Sequence, residues 1–140
     1  MSKNEYHDYL KQVPLFADLD RDELDQVAQA ATDIELEAGK VLMREGSVAH
    51  EMVVVVSGTL EVTRDGAHVA EIGPGGFAGE MALLTHSHRN STVTTKSPCS
   101  VLHIDGRAFS TLLADVPEIA VKMLPVIASR VTDKSDHHSH

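Results

Sequence analysis

The stretch IGPGGFAGEMALLTHSHRNSTV, residues 72–93, holds the groups of this chain best suited to gripping a small anion. Gly79 has no Cβ and lets a ligand approach the main chain, and the amides of a short helix starting at Glu80 would point outward with partial positive charge. Arg89, nine residues after Glu80, adds a permanently charged fork that matches two oxygens of one phosphate. Glu80, an acceptor when ionised, suits a ribose hydroxyl beside that phosphate. Acid, base and amides would then hold opposite edges of one sugar phosphate. In isolation a Glu and an Arg make a surface ion pair worth about 0–1 kcal/mol, so the weight falls on the whole segment rather than on the pair. The side chains of Met81, Leu83 and Leu84 read as core, which leaves only their backbone to meet a ligand. Gly75 and Gly76 read as a hairpin turn.

Other chemistry is weaker. His86-Ser87-His88 has the spacing of a metal-binding pair, but the Glu that should follow within about four residues is replaced by Arg89, Asn90, Ser91 and Thr92. It reads as a loop pair. His137, His138 and His140 belong to a polar tail, and Cys99 has no base placed beside it that would make it a nucleophile. We therefore expect no bound metal, no cofactor and no catalysis.

Three zones must position the segment. Tyr6, Tyr9, Leu10 and Val13 give residues 4–13 one apolar helical face, and Asp20 stands three residues before Glu23 as a capping box for a second helix carrying Leu24, Val27, Ala28 and Ala31. From Thr32 to Ile104 short β-branched runs alternate with glycines, which predicts an antiparallel jelly roll or Greek-key barrel. Met52–Val56 reads as a strand buried on both faces, Leu60, Val62 and Val69 as half-exposed strand positions, and Asp65-Gly66 as a hairpin turn. Asp105 is an N-cap candidate for a helix bearing Phe109, Leu112 and Leu113, and Pro117 opens a second one. Ile119, Met123, Leu124, Ile127 and Val131 form its expected stripe, with a kink or break near residues 121–124 caused by Pro125. Residues 1–132 are expected to form one domain, and 133–140 a disordered polar tail.

A chain of 140 residues is long enough for one self-sufficient core, and a single Cys allows no internal disulfide. The formal charge of −9 argues against nucleic acid as a partner, because duplex binders rely on Lys and Arg. No run of apolar residues is long enough for a membrane span, and no signal peptide is evident, so a cytoplasmic location is expected.

Residues 79–92 resemble the phosphate-binding cassette of the cyclic-nucleotide-binding domain family, which includes catabolite-activator-type regulators, cyclic-nucleotide-dependent kinases and gated channels. GKVLMREGSVAHEMVVVVSGTLEV, residues 39–62, is similar to the early strands of that family, and the likeness runs from about Val13 to Val131. The resemblance implies an α+β, mainly β fold: a jelly-roll or double-stranded β-helix barrel with N-terminal helices and two C-terminal helices. It implies a ligand, cAMP in preference to cGMP, and a stand-alone sensor whose C-terminal helices change position, with an unidentified protein partner. A degenerate scaffold domain and the sensor fragment of a longer regulator are the alternatives. Residue by residue it assigns Glu80 to the ribose 2′-OH, Arg89 to the cyclic phosphate, Gly79, Met81, Ala82 and Ser91 to main-chain or hydroxyl contacts, and Val62 and Val93 to the base. Ala78 stands where the family often has an aromatic residue. Asn90 stands where Ala, Ser or Thr is usual, at a position that can reach the purine.

Overall fold

The helical zones and the barrel meet through one strand that is apolar at successive positions. In β3 (Glu51–Ser57) Met52, Val53, Val54 and Val55 are all buried, Met52 and Val54 facing one core and Val53 and Val55 the other. The expectation of a strand buried on both faces holds, and the side-chain period of two is what divides it between two cores. The computed structural model describes residues 3–132, so the expected tail at 133–140 lies outside the described residues, as do the side chains of Tyr6 and Val131.

Helix α1 (Lys3–Gln12), a 3₁₀ turn at Pro14–Phe16 and α2 (Arg21–Ala30) precede the strands. The strands are β1 (Ala31–Leu36), β2 (Val41–Met43), β3, β4 (Leu60–Arg64), β5 (Ala67–Ile72), β6 (Phe77–Ala78), β7 (Thr92–Thr95) and β8 (Cys99–Asp105). Between β6 and β7 lies the short α3 (Glu80–Thr85), and α4 (Gly106–Asp115) and α5 (Pro117–Thr132) follow β8. The strands form two antiparallel four-stranded sheets, in the orders β1-β8-β3-β6 and β2-β7-β4-β5. This is the expected jelly roll. Met43, Val53, Val55, Leu60, Val62, Val93 and Val101 fill the space between the sheets. On the outer side of the first sheet Met52, Val54, Leu102 and Ile104 pack against Leu10, Phe16, Leu24, Phe109, Ile119 and Met123 from the helices. Leu60 and Val62 are completely buried, so it is their strand, not these two side chains, that is half exposed.

Local signals account for the element ends. Asp65 and Gly66 have φ of 53° and 80°, the left-handed pair that a tight hairpin needs. Asp105 caps α4 through Oδ1, which accepts from Arg107 N at 2.7 Å. The capping box of α2 is complete: Asp20 Oδ1 accepts from Glu23 N, and Glu23 Oε1 accepts from Asp20 N, each at 2.9 Å. Glu23 Oε1 also accepts from Lys122 Nζ at 2.6 Å, tying α2 to α5. Asp20→Ala should lower the unfolding free energy by about 1 kcal/mol, read from the denaturant midpoint.

One helical expectation needs correction and a second is narrowed. Leu124 is 58% exposed and Val121 64%, whereas Ile119, Met123 and Ile127, four apart, form the buried stripe. Leu124 is turned about 100° from Met123 and misses it. Helix α5 continues through Pro125, so of the two outcomes expected there the break does not occur. Pro125 is on the exposed side, where water can satisfy carbonyls that lose a helical donor.

Candidate functional site

The site starts where β6 ends. Ala78 pairs with Val53, and Gly79 then turns the chain at φ 96° and ψ −6° so that α3 begins at Glu80. A Cβ at Gly79 would lie 2.7 Å from Met43 Cε, 2.8 Å from Arg89 Nη1 and 2.9 Å from the Glu51 carbonyl oxygen. Both the backbone conformation and the space require glycine. After α3 the segment carrying Arg89 is strapped to the β2–β3 loop: Arg89 N donates to Ser47 O and Gly46 N donates to Arg89 O, both at 2.8 Å. From Arg89 to Thr95 burial alternates, so Arg89, Ser91, Val93 and Thr95 share the inner face while Asn90 is exposed.

Arg89 is only 5% exposed. Its Nη1 donates to Gly79 O at 2.9 Å, and its Nη2 donates to Glu51 Oε1 at 3.0 Å and to the Glu51 carbonyl. Burial pulls the guanidinium below its ordinary pKa, and the carboxylates of Glu51 and then Glu80 push it back. Glu80 is fully buried, and its Oε2 accepts from Met81 N at 3.2 Å. One buried cation therefore bonds the Glu51 carboxylate and feels the charge of Glu80 near the start of α3. An anion next to a hydroxyl matches this arrangement: the first for the guanidinium, the second for Glu80.

Val62 and Val93 face each other across β4 and β7 and are both fully buried in the inter-sheet core with Met43 and Ala78. Met81 and Ala82 are half-buried on α3, and Ala82 O accepts from the amides of His86 and Ser87. Ser91 is 2% exposed and donates to Asn90 Oδ1 at 2.9 Å. His86 and His88 join no group of three or more metal-type ligands among the described residues. Cys99 is buried, with its thiol directed at the Thr59 and Ser97 carbonyls.

A family model described as the cyclic nucleotide-binding domain matches residues 33–116, which take in both sheets and the whole Gly79–Arg89 segment. The chain belongs to this family. A cAMP-dependent protein kinase regulatory subunit of Yarrowia lipolytica is 35% identical over 113 residues, covering 79% of this chain and 30% of that protein. The chain thus spans under a third of the length of such curated relatives. Among solved structures, the regulatory subunit of a cAMP-independent protein kinase A from Trypanosoma brucei superposes with a TM-score of 0.82 at 22% identity, covering 94% of this chain and 46% of that one. The N-terminal domain of a Streptomyces coelicolor transcriptional regulator gives 0.75 at 27% identity, covering 91% of this chain and 98% of that one.

Within this cyclic nucleotide-binding domain, three neighbours of the cassette escaped the sequence reading: Ser47, Glu51 and Arg64. Glu51 carried one signal, a charge at the head of an otherwise apolar strand. Arg64 carried another, its place just before a tight turn. Nothing in the sequence indicated Ser47, which acts through its backbone carbonyl.

Proposed function

We propose that this domain binds a cyclic nucleotide, cAMP in preference to cGMP, in the cradle formed by residues 79–93, and reports occupancy through α4 and α5. The observation that carries the reading is the buried Arg89 beside Gly79, with the buried Glu80 charge close by. Arg89 takes the cyclic phosphate and Glu80 the ribose 2′-OH. The backbone at Gly79, Met81 and Ala82 and the Ser91 hydroxyl complete the sugar-phosphate contacts. The family likeness assigns Val62 and Val93 to the base. Both are sealed in the inter-sheet core, so their contact with it requires the cradle to open on binding, and the exposed Asn90 borders it. The likeness to a cAMP-dependent kinase subunit supports cAMP, while the likeness to a cAMP-independent one makes direct titration the deciding test.

Two contacts between the cradle region and α4 support this reading. Glu51, the partner of Arg89, follows His50, whose carbonyl accepts from Gly106 N at 2.7 Å at the start of α4. A Cβ on Gly106 would also come within 3.1 Å of Leu83 Cδ2 on α3. A ligand that draws Arg89 away from Glu51 therefore acts next to the root of α4. If it binds one arrangement of the helices a hundredfold better, it shifts their equilibrium by about 2.7 kcal/mol. Residues 1–132 act as one sensing unit that binds and does not catalyse, with a protein partner as reader. No helix among the described residues is long and apolar enough to cross a membrane, which is compatible with a cytoplasmic sensor.

Calorimetric titration of the chain with cAMP and with cGMP tests the reading; heat changes with neither nucleotide would overturn it. Glu80→Gln keeps the shape but loses the charge that accepts the ribose hydroxyl, so it should weaken cAMP binding by about 10- to 100-fold. Unchanged affinity would remove Glu80 from the site.

A further inference from the structure

Arg64 ends β4, and the register Val62↔Val93, Thr63↔Thr92 brings it alongside Ser91. Leu60, Val62 and Arg64 alternate along their strand and share its inner face, as Arg89, Ser91 and Val93 do on the neighbouring segment. The guanidinium donates from Nε to the Asn90 carbonyl and from Nη2 to Ser91 Oγ, both at 3.0 Å. Ser91 in turn donates to Asn90 Oδ1. The next turn reinforces this corner: Asp65 N donates to Glu45 Oε1, and Glu45 N donates to Thr92 Oγ1, each at 3.0 Å. One side chain thus fixes the backbone of the first residue after Arg89 and the hydroxyl of the second.

The geometry points to Arg64 as a positioning residue of the nucleotide site, one that sets both the placement of Arg89 and the hydrogen-bonding polarity of Ser91. This rests on the reading that a cyclic nucleotide binds at residues 79–93. A hydroxyl has one proton and two lone pairs. With Arg64 on one lone pair and the proton directed to Asn90, Ser91 meets a ligand as an acceptor. It can receive a hydroxyl or a purine amine, and it does not donate to a phosphate oxygen. Without Arg64 the hydroxyl rotates and that selection is lost. Lysine cannot replace the arginine, because its ammonium is a point charge without the planar pair of donors that reaches two acceptors together.

The test is titration with cAMP and cGMP of wild type, R64K, R64A, S91A and R64A/S91A, with thermal unfolding of each chain without ligand. R64K and R64A should each weaken cAMP binding by about tenfold or more, as expected for losing a charge-assisted pair. The ratio of the two affinities should move by more than about threefold, and S91A should add little once Arg64 is gone. R64K should unfold at nearly the wild-type temperature, and it decides the matter should R64A fail to fold. Wild-type affinities in R64K, equal weakening of both nucleotides, or full additivity of R64A and S91A would overturn the assignment while leaving the site in place. A wild-type chain that binds neither nucleotide would overturn the underlying reading, and the assignment with it.

Discussion

Arg89→Ala should reduce the affinity for cAMP by between about 30-fold and several thousandfold, the range that corresponds to losing one partner of a buried charge pair at roughly 2–5 kcal/mol. The side chain is the cation bonded to the Gly79 carbonyl and to Glu51, so its loss removes the group proposed to hold the phosphate. It also strips two carboxylates of their counter-charge. Glu80 is fully buried, and an uncompensated buried charge destabilises the fold in its own right. The alanine variant therefore combines two effects, and Arg89→Lys separates them. Lysine keeps a positive charge near Glu51 and Glu80 but lacks the planar fork. It should unfold within a few degrees of wild type in the absence of ligand and still bind cAMP at least about tenfold more weakly. An Arg89→Lys chain that binds as tightly as wild type would show that charge alone suffices, and a fold-neutral Arg89→Ala chain with intact binding would remove the anchor altogether.

How much of this site could be read in the sequence follows from the range of each interaction. The turn at Gly79 and the helix start at Glu80 were legible because a conformationally special glycine and a helix start adjoin in one short segment. The capping box at Asp20 and Glu23 and the Asp65-Gly66 turn were legible for the same reason: each is closed by residues at most three apart. Glu51 was not, since its bond to Arg89 spans 38 residues and exists only because β3 runs beside the end of β6. Arg64 and Ser91 are 27 residues apart and meet through the β4–β7 register, which no local pattern specifies. Val62 and Val93 came from the family resemblance alone, and their facing positions likewise depend on that register. On α5 the error was local: Leu124 fits an apolar stripe by composition, but a spacing of four was already satisfied by Ile119, Met123 and Ile127.

Gly79→Ala should abolish measurable cAMP binding and destabilise the chain by about 2–4 kcal/mol, combining left-handed strain at a non-glycine residue with overpacking. The three atoms that a Cβ would meet respond differently. Met43 Cε is the end of a flexible side chain and can move away, whereas the Glu51 oxygen belongs to the backbone of β3 and is fixed by its strand. Arg89 Nη1 can retreat only by giving up its bond to the Gly79 carbonyl. The methyl group therefore displaces the Arg89 guanidinium. Two other glycines provide the controls that distinguish this from general damage. Gly66 has φ of 80° with nothing within 4 Å of an added Cβ, so Gly66→Ala carries only the backbone strain, about 1 kcal/mol, and should bind normally. Gly58 has φ of 89°, and its Cβ would fall 2.3 Å from Pro98 O and 2.8 Å from Cys99 Cα, both backbone atoms away from the cradle. Gly58→Ala should cost at least as much stability as Gly79→Ala, yet the fraction that remains folded should keep wild-type affinity. Chemical denaturation with calorimetry on the folded fraction measures both quantities. Equal binding by folded Gly79→Ala and Gly58→Ala chains would mean that the close approach of Gly79 to Arg89 serves packing alone.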